Sequence, residues 1–303
     1  MTEGDDPAAA IPADGTLLRL AAFTTDPRGG NPAGVWIGRS LPHDAEMQRT
    51  AAEVGYSETA FVVPDGSDLA GRFRVRYFSP LAEVPFCGHA TIATGVALAE
   101  RGLAGAAERE GESGAIVLTT NGGLVAVSTA TDVQGSVRAT LTSLATWVRD
   151  PEGDLLERAL GLLGWSRDDL EPSLPPALGF AGATHLILAA RDLARLARLE
   201  YPFEGLRTLM LEHDLTTIQL IWREAPDRFR ARDPFPVGGV VEDPATGAAA
   251  AAFGAYLRDR GEISPPATFE ILQGVEMGRP SQLTVSIVPG EAGVRVSGNA
   301  VAM

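Results

Sequence analysis

The segment PFCGHATIATG, residues 85–95, places a thiol and an imidazole two positions apart. It contains Cys87, the single cysteine of the 303-residue chain, and His89, one of four histidines. The residues that follow predict a helix that begins near Gly88. At a helix N-terminus, unpaired N–H groups and the helix dipole bind anions and favour a thiolate. The segment therefore predicts either a site for nucleophilic or proton-transfer chemistry, or a small buried cysteine that only packs there.

Several other chemistries are excluded by what the sequence lacks. All 25 basic residues are arginine, so no lysine is present to hold pyridoxal phosphate or a Schiff base. The chain has no G-x-G-x-x-G after a strand, no phosphate-binding G-x-x-x-x-G-K-[ST], no G-x-S-x-G and no H-E-x-x-H. Cys87 and His89 alone are too few ligands to predict zinc. We therefore predict a site with no metal and no cofactor.

Composition limits the partners and the compartment. The net charge of −14 argues against nucleic acid and anionic membrane surfaces, which need clustered positive charge. No apolar run approaches the roughly 20 residues of a membrane span, and a single cysteine forms no intrachain disulfide, which fits a reducing cytosol. We expect a cytoplasmic protein. Residues 1–14 are acidic and rich in Ala and Pro, and they predict a disordered lead-in rather than a secretory signal.

Strands and helices alternate at short intervals, and the cycle restarts near residue 130. EVPFCG (83–88) and EDPATG (242–247) share the pattern Glu-x-Pro-x-x-Gly at an offset of 159 residues. Each follows an Arg-rich strand and precedes an Ala-rich helix. The repeat predicts two similar α+β lobes, residues 15–128 and 129–290, and a C-terminal strand in 291–303 that is able to return to the first lobe.

The repeated glycines, Gly88 and Gly247, would each begin a helix. Glycine lets the backbone approach a ligand closely, and two helix N-termini in one cleft would suit a small substrate with a carboxylate. The alternative is that each glycine only permits a tight turn between strand and helix. The duplication favours a binding site.

Five stretches spread over nearly the whole chain carry recognisable motifs. They are FTTDPRGGNPAGV (23–35), YSETAFV (56–62), FSPLAEVPFCGHATIATG (78–95), VVEDPATGAAAAAFGAYL (240–257) and QGVEMGRPSQLTV (273–285). These stretches resemble the PhzF-like family of phenazine-biosynthesis isomerases, which share the diaminopimelate-epimerase fold. The resemblance implies two pseudo-symmetric lobes, each a sheet or barrel around a central helix, in an α+β fold. It also implies a cofactor-free active site between the lobes, and a homodimer.

The resemblance carries the family's catalytic roles to three residues. The general acid/base glutamate falls on Glu58, the histidine of G-H-x-T on His89, and the aspartate of E-D-P-A-T-G on Asp243. Each has a structural alternative: Glu58 could be a solvated residue at a strand end, and His89 and Asp243 could cap helices. The residues predicted to bind substrate are Asn31, Gly88, Thr91, Gly247 and Ala248.

Two departures from the family pattern bear on the chemistry. Ala248 stands where the family usually has a serine, which leaves the substrate open. Cys87 stands where many relatives have alanine, whereas racemases and epimerases of this fold keep a cysteine there and a second one in the other lobe. The second position falls on Pro244 or its neighbour, and no other cysteine exists, so a two-thiol mechanism is impossible.

The sequence therefore predicts a cofactor-independent isomerase of a small carboxylate, with proton transfer through Glu58. One alternative is an epimerase or racemase of an amino or hydroxy acid, with Glu58 and Cys87 as an unsymmetrical acid/base pair. A second is a non-catalytic protein that binds carboxylates on the same fold. The remaining histidines lie outside the motifs, and we expect structural or surface roles for them; they are His43, His185 and His213.

Overall fold

The computed structural model describes residues 11–12, 14–67 and 69–303, which fall into two units. Unit 1 ends at Thr142 and also includes Ser297–Met303, while unit 2 is Ser143–Val296. Among the described residues, no helix has the length and apolar character that crossing a membrane requires.

Unit 1 contains a closed ring of eight strands in the order β1–β2–β3–β4–β6–β7–β8–β17, with β17 pairing back onto β1. The pairs β2–β3 and β4–β6 are parallel, whereas β1–β2, β3–β4, β6–β7, β7–β8 and β1–β17 are antiparallel. The strands are β1 (Thr16–Ala22), β2 (Asn31–Ile37), β3 (Glu58–Pro64), β4 (Arg72–Phe78), β5 (Glu83–Val84), β6 (Gly114–Thr120), β7 (Gly123–Thr131), β8 (Val137–Thr142) and β17 (Arg295–Ala302). The helices are α1 (Asp44–Val54) and α2 (Gly88–Glu100).

Helix α2 forms the core of unit 1. Every residue from His89 to Leu98 is buried, and the helix packs against β1, β2, β3, β7 and β8. A helix that is apolar on all sides must be surrounded, and a barrel of alternating strands such as RFRVRYF supplies an apolar inner face. At Gly95 an added Cβ would lie 2.9 Å from Val127 and 3.1 Å from Ala139. Glycine is therefore what allows α2 to approach the barrel wall.

Unit 2 has the same construction around α6. Its strands pair in the order β9–β10–β11–β12–β13–β15–β16, with β11–β12 and β13–β15 parallel. They are β9 (Trp147–Arg149), β10 (Ala177–Phe180), β11 (Thr184–Ala189), β12 (Thr217–Ala225), β13 (Arg228–Pro234), β14 (Glu242–Asp243), β15 (Ala267–Gln273) and β16 (Ser281–Ile287). The helices are α3 (Leu155–Leu163), α4 (Leu193–Ala197), α5 (Phe203–Glu212) and α6 (Gly247–Asp259).

The two units repeat one topology, and the predicted α+β fold of two lobes, each built around a central helix, is confirmed. Helices α2 and α6 each have 13 residues and begin 159 positions apart. Gly254, which lies 159 positions after Gly95, has an equally close approach: an added Cβ would lie 2.9 Å from both Val285 and Val294. The repeat therefore extends beyond the two hexapeptide motifs to the packing of each central helix.

The unit boundary differs from the predicted one. Residue 128 lies within β7, and β8 continues the first barrel, so the division falls between Thr142 and Ser143. At the C-terminus β17 pairs with β1. Most of the predicted lead-in, 1–14, lies outside the described residues. Ile11 is described and buried, and its carbonyl accepts a hydrogen bond from Arg39.

His185 is a fully buried histidine in β11, and its Nδ1 lies 2.8 Å from Thr217 Oγ1. Burial lowers its pKa to about 3 from the ordinary 6.5. The folded state therefore keeps His185 neutral, while the unfolded chain takes up a proton as the pH falls below 6.5. We expect this difference alone to remove about 2 kcal/mol of stability between pH 7.5 and pH 5.

Urea unfolding of the wild type and of His185→Asn at both pH values checks this expectation. Asparagine keeps a polar atom near the Nδ1 position but does not titrate, so the variant should lose about 2 kcal/mol less than the wild type over this range. His213→Asn, at the less buried end of α5, is the matched control and should keep the wild-type dependence. An unchanged pH slope in His185→Asn would show that His185 takes up its proton equally well in the folded and unfolded states, which contradicts the lowered pKa.

Candidate active site

Glu58 is the first residue of β3, and its carboxylate is largely enclosed within unit 1. β3 runs parallel to β2, with Ala33 opposite Glu58, and 17% of the Glu58 side chain is exposed. Burial raises the pKa of this carboxyl above its ordinary value, and hydrogen bonds with Ser57 and Cys87 partly offset the shift. A raised pKa brings a carboxyl closer to the range in which it both takes up and returns a proton near neutral pH.

Cys87 and His89 lie at the start of α2. Cys87 is the N-cap residue, with extended backbone angles (φ −147°, ψ 118°), and its side chain makes no capping hydrogen bond. His89 follows in the first helical turn, and both residues are buried. The Cys87 Sγ lies 3.3 Å from Nδ1 and 3.9 Å from Nε2 of His89. The thiol and the imidazole therefore share one helix N-terminus.

The Glu58 carboxylate reaches both of these groups. Its Oε2 lies 3.4 Å from Cys87 Sγ and 3.5 Å from His89 Nε2. The hydroxyl of Ser57 lies 3.3 Å from the same His89 nitrogen. Glu58, Cys87 and His89 thus form one cluster of three titratable groups, which we call the Glu58 cluster. Protons can pass directly between its members, and its carboxylate, thiol and imidazole are also ligands that a metal ion could use.

Thr91 supports the start of α2 from inside the barrel. Its hydroxyl donates to the Cys87 carbonyl oxygen at 2.7 Å, and the Tyr77 hydroxyl lies 2.7 Å away on β4. Burial raises the pKa of Tyr77, so its phenol stays neutral. The sequence predicts Thr91 as a substrate-binding residue, but these bonds favour a positioning role, in which Thr91 and Tyr77 hold the Cys87 backbone.

Gly88 lies between Cys87 and His89 in the sequence, and Asn31 lies in β2, the strand that pairs with the strand of Glu58. A Cβ added to Gly88 would meet nothing within 4 Å, so the backbone there borders open space. Asn31 is buried at the first position of β2. Because Ala33 pairs with Glu58, Asn31 lies at the same end of the barrel sheet as the catalytic candidate.

Asp243, Gly247 and Ala248 belong to unit 2 and surround the start of α6. The Asp243 carboxylate accepts a 2.6 Å hydrogen bond from the Thr246 hydroxyl. Gln273 completes this arrangement, because its amide donates to the Asp243 backbone carbonyl at 2.8 Å and accepts from the Thr246 N–H at 3.2 Å. Asp243 is thus bound to the helix N-cap and held by β15.

Thr246 corrects one part of the sequence analysis. It is the N-cap of α6 and immediately precedes Gly247, as Cys87 is the N-cap of α2 and precedes Gly88. The counterpart of Cys87 is therefore Thr246 and not Pro244. The offset of 159 residues that aligns Glu83 with Glu242 also places Cys87 on Thr246, so the repeat in the sequence already contains this assignment. By the same offset, Ala248 is the counterpart of His89.

Asp233 is a buried acid that the sequence motifs do not reveal. It lies opposite Asp243 in the β13–β14 pair. The side-chain amide of Gln219, oriented to donate, lies 2.7 and 3.0 Å from its two oxygens. Burial raises the pKa of Asp233 well above its ordinary value, and the negative charges of Asp243 and Glu242 add to this. Asp233 is therefore a fully buried carboxyl with a raised pKa, opposite Asp243 in the strand pair.

Most of the functional residues that the sequence did not predict contact a predicted residue or lie next to one. Ser57 lies beside Glu58 in the SETAFV stretch, and Thr246 has the same relation to Gly247 that Cys87 has to Gly88; both signals were readable. Tyr77 and Asp233 come from strands whose inward positions have no distinctive motif, whereas Gln273 begins the family stretch QGVEMGRPSQLTV but was assigned no role. Only the register of β4, β13 and β15 brings them to the helix starts.

Comparisons with known proteins agree on one family. The sequence model of the PhzC-PhzF family, described as phenazine biosynthesis-like protein, matches residues 20–303. A trans-2,3-dihydro-3-hydroxyanthranilate isomerase from Pseudomonas chlororaphis is 33% identical and aligns over 93% of this chain and 95% of its own. An uncharacterized isomerase from Deinococcus radiodurans is also 33% identical, over 88% of this chain and 85% of its own.

A solved structure agrees with the sequence relatives. The crystal structure of a Bacillus anthracis phenazine biosynthesis protein of the PhzF family superposes with a TM-score of 0.81 at 27% identity, covering 95% of this chain and 96% of the other. These matches cover both units and every residue of the Glu58 cluster. The chain therefore belongs to the PhzC-PhzF family of phenazine biosynthesis-like proteins, and it is an isomerase.

Proposed function

We propose that the protein is a cofactor-independent isomerase that moves a proton between carbons of a small carboxylate substrate, with Glu58 as the acid/base group. The observation that carries the proposal is the Glu58 cluster. A largely enclosed carboxylate with a raised pKa lies within 3.5 Å of a thiol and an imidazole at a helix N-terminus. General acid–base catalysis needs a positioned group whose pKa is tuned toward the working pH, and Glu58 has both properties.

The other residues take supporting roles in this proposal. His89 hydrogen-bonds the substrate or relays the proton, and Ser57 orients its ring at 3.3 Å. The N–H groups near Gly88 bind the substrate carboxylate or the enolate-like charge that develops as the proton leaves. Asp243, fixed by Thr246 at 2.6 Å, is the candidate acid of unit 2, with Gly247 and Ala248 beside it in the chain. Asn31 is a substrate contact at the end of β2.

The relatives support a proposal for the substrate class. The Pseudomonas chlororaphis relative acts on trans-2,3-dihydro-3-hydroxyanthranilate, and we propose a cyclic carboxylate of this kind for the present protein. The resemblance also implies a homodimer, which light scattering on the purified protein tests. Ala248 in place of the family serine removes a hydroxyl from the start of α6, so the substrate preferred here need not be the relative's own.

A panel of carboxylates tests the proposal. The purified protein is incubated with trans-2,3-dihydro-3-hydroxyanthranilate, related cyclic carboxylates, and chiral amino and hydroxy acids, and the products are followed by NMR and polarimetry. A shifted double bond with no inversion at Cα is the expected result. Binding without any conversion or hydrogen exchange across the panel would indicate a non-catalytic carboxylate-binding protein instead.

An epimerase is the second candidate, and one contact favours it. Cys87 Sγ lies 3.4 Å from Glu58 Oε2, so an unsymmetrical thiol–carboxylate pair is already formed. Inversion of an amino or hydroxy acid in the same panel would support it. Thr246, the counterpart of Cys87, has no thiol, so an epimerase mechanism here would lack the second cysteine. We therefore rank the isomerase first.

Replacement of Cys87 separates the two candidates. In the isomerase proposal the thiol packs beside Glu58, so Cys87→Ala should leave kcat/KM within a few-fold of the wild type. Removing one sulfur atom from a buried position should cost about 1 kcal/mol or less, at the low end of large-to-small core changes. Steady-state kinetics and urea unfolding measure both. A loss of two orders of magnitude in kcat/KM with intact folding would move the protein to the epimerase class.

A further inference from the structure

The Glu58 cluster has the composition of a zinc site. Two of its members, a thiol and an imidazole, are the ligands that Zn²⁺ prefers, and a carboxylate is commonly the third. The sequence offered only Cys87 and His89, which are too close in the chain to suggest a site by themselves. The start of β3 adds Glu58, and one ligand atom from each residue lies within 4.8 Å of the other two.

Two of the three distances within the cluster match the ligand separations of a tetrahedral zinc ion. With Zn–S near 2.3 Å and Zn–N and Zn–O near 2.0–2.1 Å, two ligands of a tetrahedral ion lie about 3.3–3.6 Å apart. The Cys87 Sγ to Glu58 Oε2 distance is 3.4 Å and the His89 Nε2 to Glu58 Oε2 distance is 3.5 Å. The Cys87 Sγ to His89 Nε2 distance is 3.9 Å. Because Sγ lies closer to Nδ1, at 3.3 Å, the imidazole must turn so that the lone pair of Nε2 faces the sulfur and the carboxylate.

The surroundings also suit a three-ligand site with an open position. The Tyr77–Thr91 pair behind the Cys87 carbonyl holds the backbone of the thiol ligand in place, as outer partners of metal ligands do. The Ser57 hydroxyl, 3.3 Å from Nε2, would give up that contact when Nε2 binds the ion. Gly88, between the two helix ligands in sequence, borders open space in which a water or a substrate oxygen could complete the tetrahedron.

We propose that Glu58, Cys87 and His89 bind a zinc-like divalent cation, and that this binding reversibly inhibits proton transfer because the ion occupies the Glu58 carboxylate. The thiol gives up its proton to the solvent when the metal–sulfur bond forms, so no oxidant or reductant is needed. Soft ligands of this kind select Zn²⁺ or Co²⁺ over Mg²⁺ and Ca²⁺. The inhibition rests on the proposed function, whereas the binding does not.

Cobalt provides a direct readout of the binding. The reduced full-length protein is titrated with CoCl₂, and thiolate coordination is detected as a sulfur-to-cobalt charge-transfer band in the near ultraviolet. We expect the band in the wild type, its displacement by ZnCl₂, and no displacement by excess MgCl₂. Cys87→Ala should abolish the band. Glu58→Gln and His89→Asn should each weaken binding by at least roughly a hundredfold, since loss of outer partners alone costs ten- to a hundredfold.

Controls keep the test decisive. His43→Asn replaces an exposed histidine at the start of α1 and should leave the cobalt titration unchanged. Circular dichroism establishes that each variant is folded, and Cys87→Ser serves in place of Cys87→Ala if the alanine variant is not. Absence of the band in the folded wild type, or a band of unchanged affinity in both Glu58→Gln and His89→Asn, overturns the site.

The two proposals fail in distinguishable ways. Turnover of a substrate in the presence of a chelator, together with loss of turnover on adding ZnCl₂, supports both. Cobalt binding by a protein that converts no substrate leaves the metal site standing and removes the proposed function. Turnover that ZnCl₂ does not affect, in a protein shown to bind the ion at the cluster, overturns the inhibition.

Discussion

Glu58→Gln is expected to lower turnover by at least two orders of magnitude while the protein still folds and binds substrate. Glutamine keeps the size of the side chain and most of its hydrogen bonding, but it cannot take up and return a proton. General acid–base catalysis contributes roughly a hundred- to ten-thousandfold to the rate. Because only the proton transfer is removed, kcat should carry the loss and KM should change little.

The matched control for this change lies close in the sequence. Glu53→Gln makes the same substitution at an exposed position of α1 and should leave kcat and KM as in the wild type. Steady-state kinetics with the substrate found in the carboxylate panel measures both variants. A Glu58→Gln protein that retains more than a tenth of the wild-type kcat would remove Glu58 from its assigned role.

The second large effect concerns a buried ion pair in unit 2. Arg232 on β13 donates to both oxygens of Glu242 at 2.9 and 2.5 Å, and both side chains are less than a tenth exposed. Arg232 also donates to the Ala197 carbonyl at 2.8 Å. Glu242→Gln would leave the guanidinium buried without its counter-charge, which costs about 3–5 kcal/mol of stability.

The repeat supplies the matched control. Glu83, which lies 159 positions before Glu242, forms the same two-bond pair with Arg76 at 2.7 and 2.7 Å on β4. This pair is more exposed, and Arg76 has a second carboxylate partner, Asp44, at 2.6 Å. Glu83→Gln should therefore cost about 1 kcal/mol or less. Urea unfolding measures the stability lost in each variant. Equal losses in Glu242→Gln and Glu83→Gln would contradict the expectation that burial makes the Arg232–Glu242 pair the more costly one to break.

This comparison also explains why the sequence repeat was visible. The glutamates of Glu-x-Pro-x-x-Gly recur because each pairs with an arginine of the preceding strand, and the glycines recur because each begins a central helix. Gly95 and Gly254 recur because each helix lies against its barrel wall. A repeat with a fixed offset can be recognised in a sequence when the same type of residue makes the same contact in both units.

Other features of the structure could not be predicted from the sequence, and the reasons are again physical. That Glu58 touches Cys87 depends on the position of β3 beside α2, which sequence separation does not reveal. The raised pKa of Asp233 depends on its complete burial next to Asp243, and an Asp in RFRARDP would ordinarily be interpreted as an exposed surface charge. The boundary at Thr142 was misplaced because β8 has no motif that assigns it to the first barrel rather than the second.

Deuterium exchange tests the central claim, that Glu58 carries the proton, most directly. Once a substrate is found, incorporation of solvent deuterium at its reacting carbon is followed by NMR for the wild type, Glu58→Gln and Cys87→Ala under identical conditions. The account predicts exchange in the wild type, exchange within a few-fold of it in Cys87→Ala, and a loss of at least about a hundredfold in Glu58→Gln. Exchange that survives Glu58→Gln and disappears in Cys87→Ala would contradict it, since the thiol would then be the base.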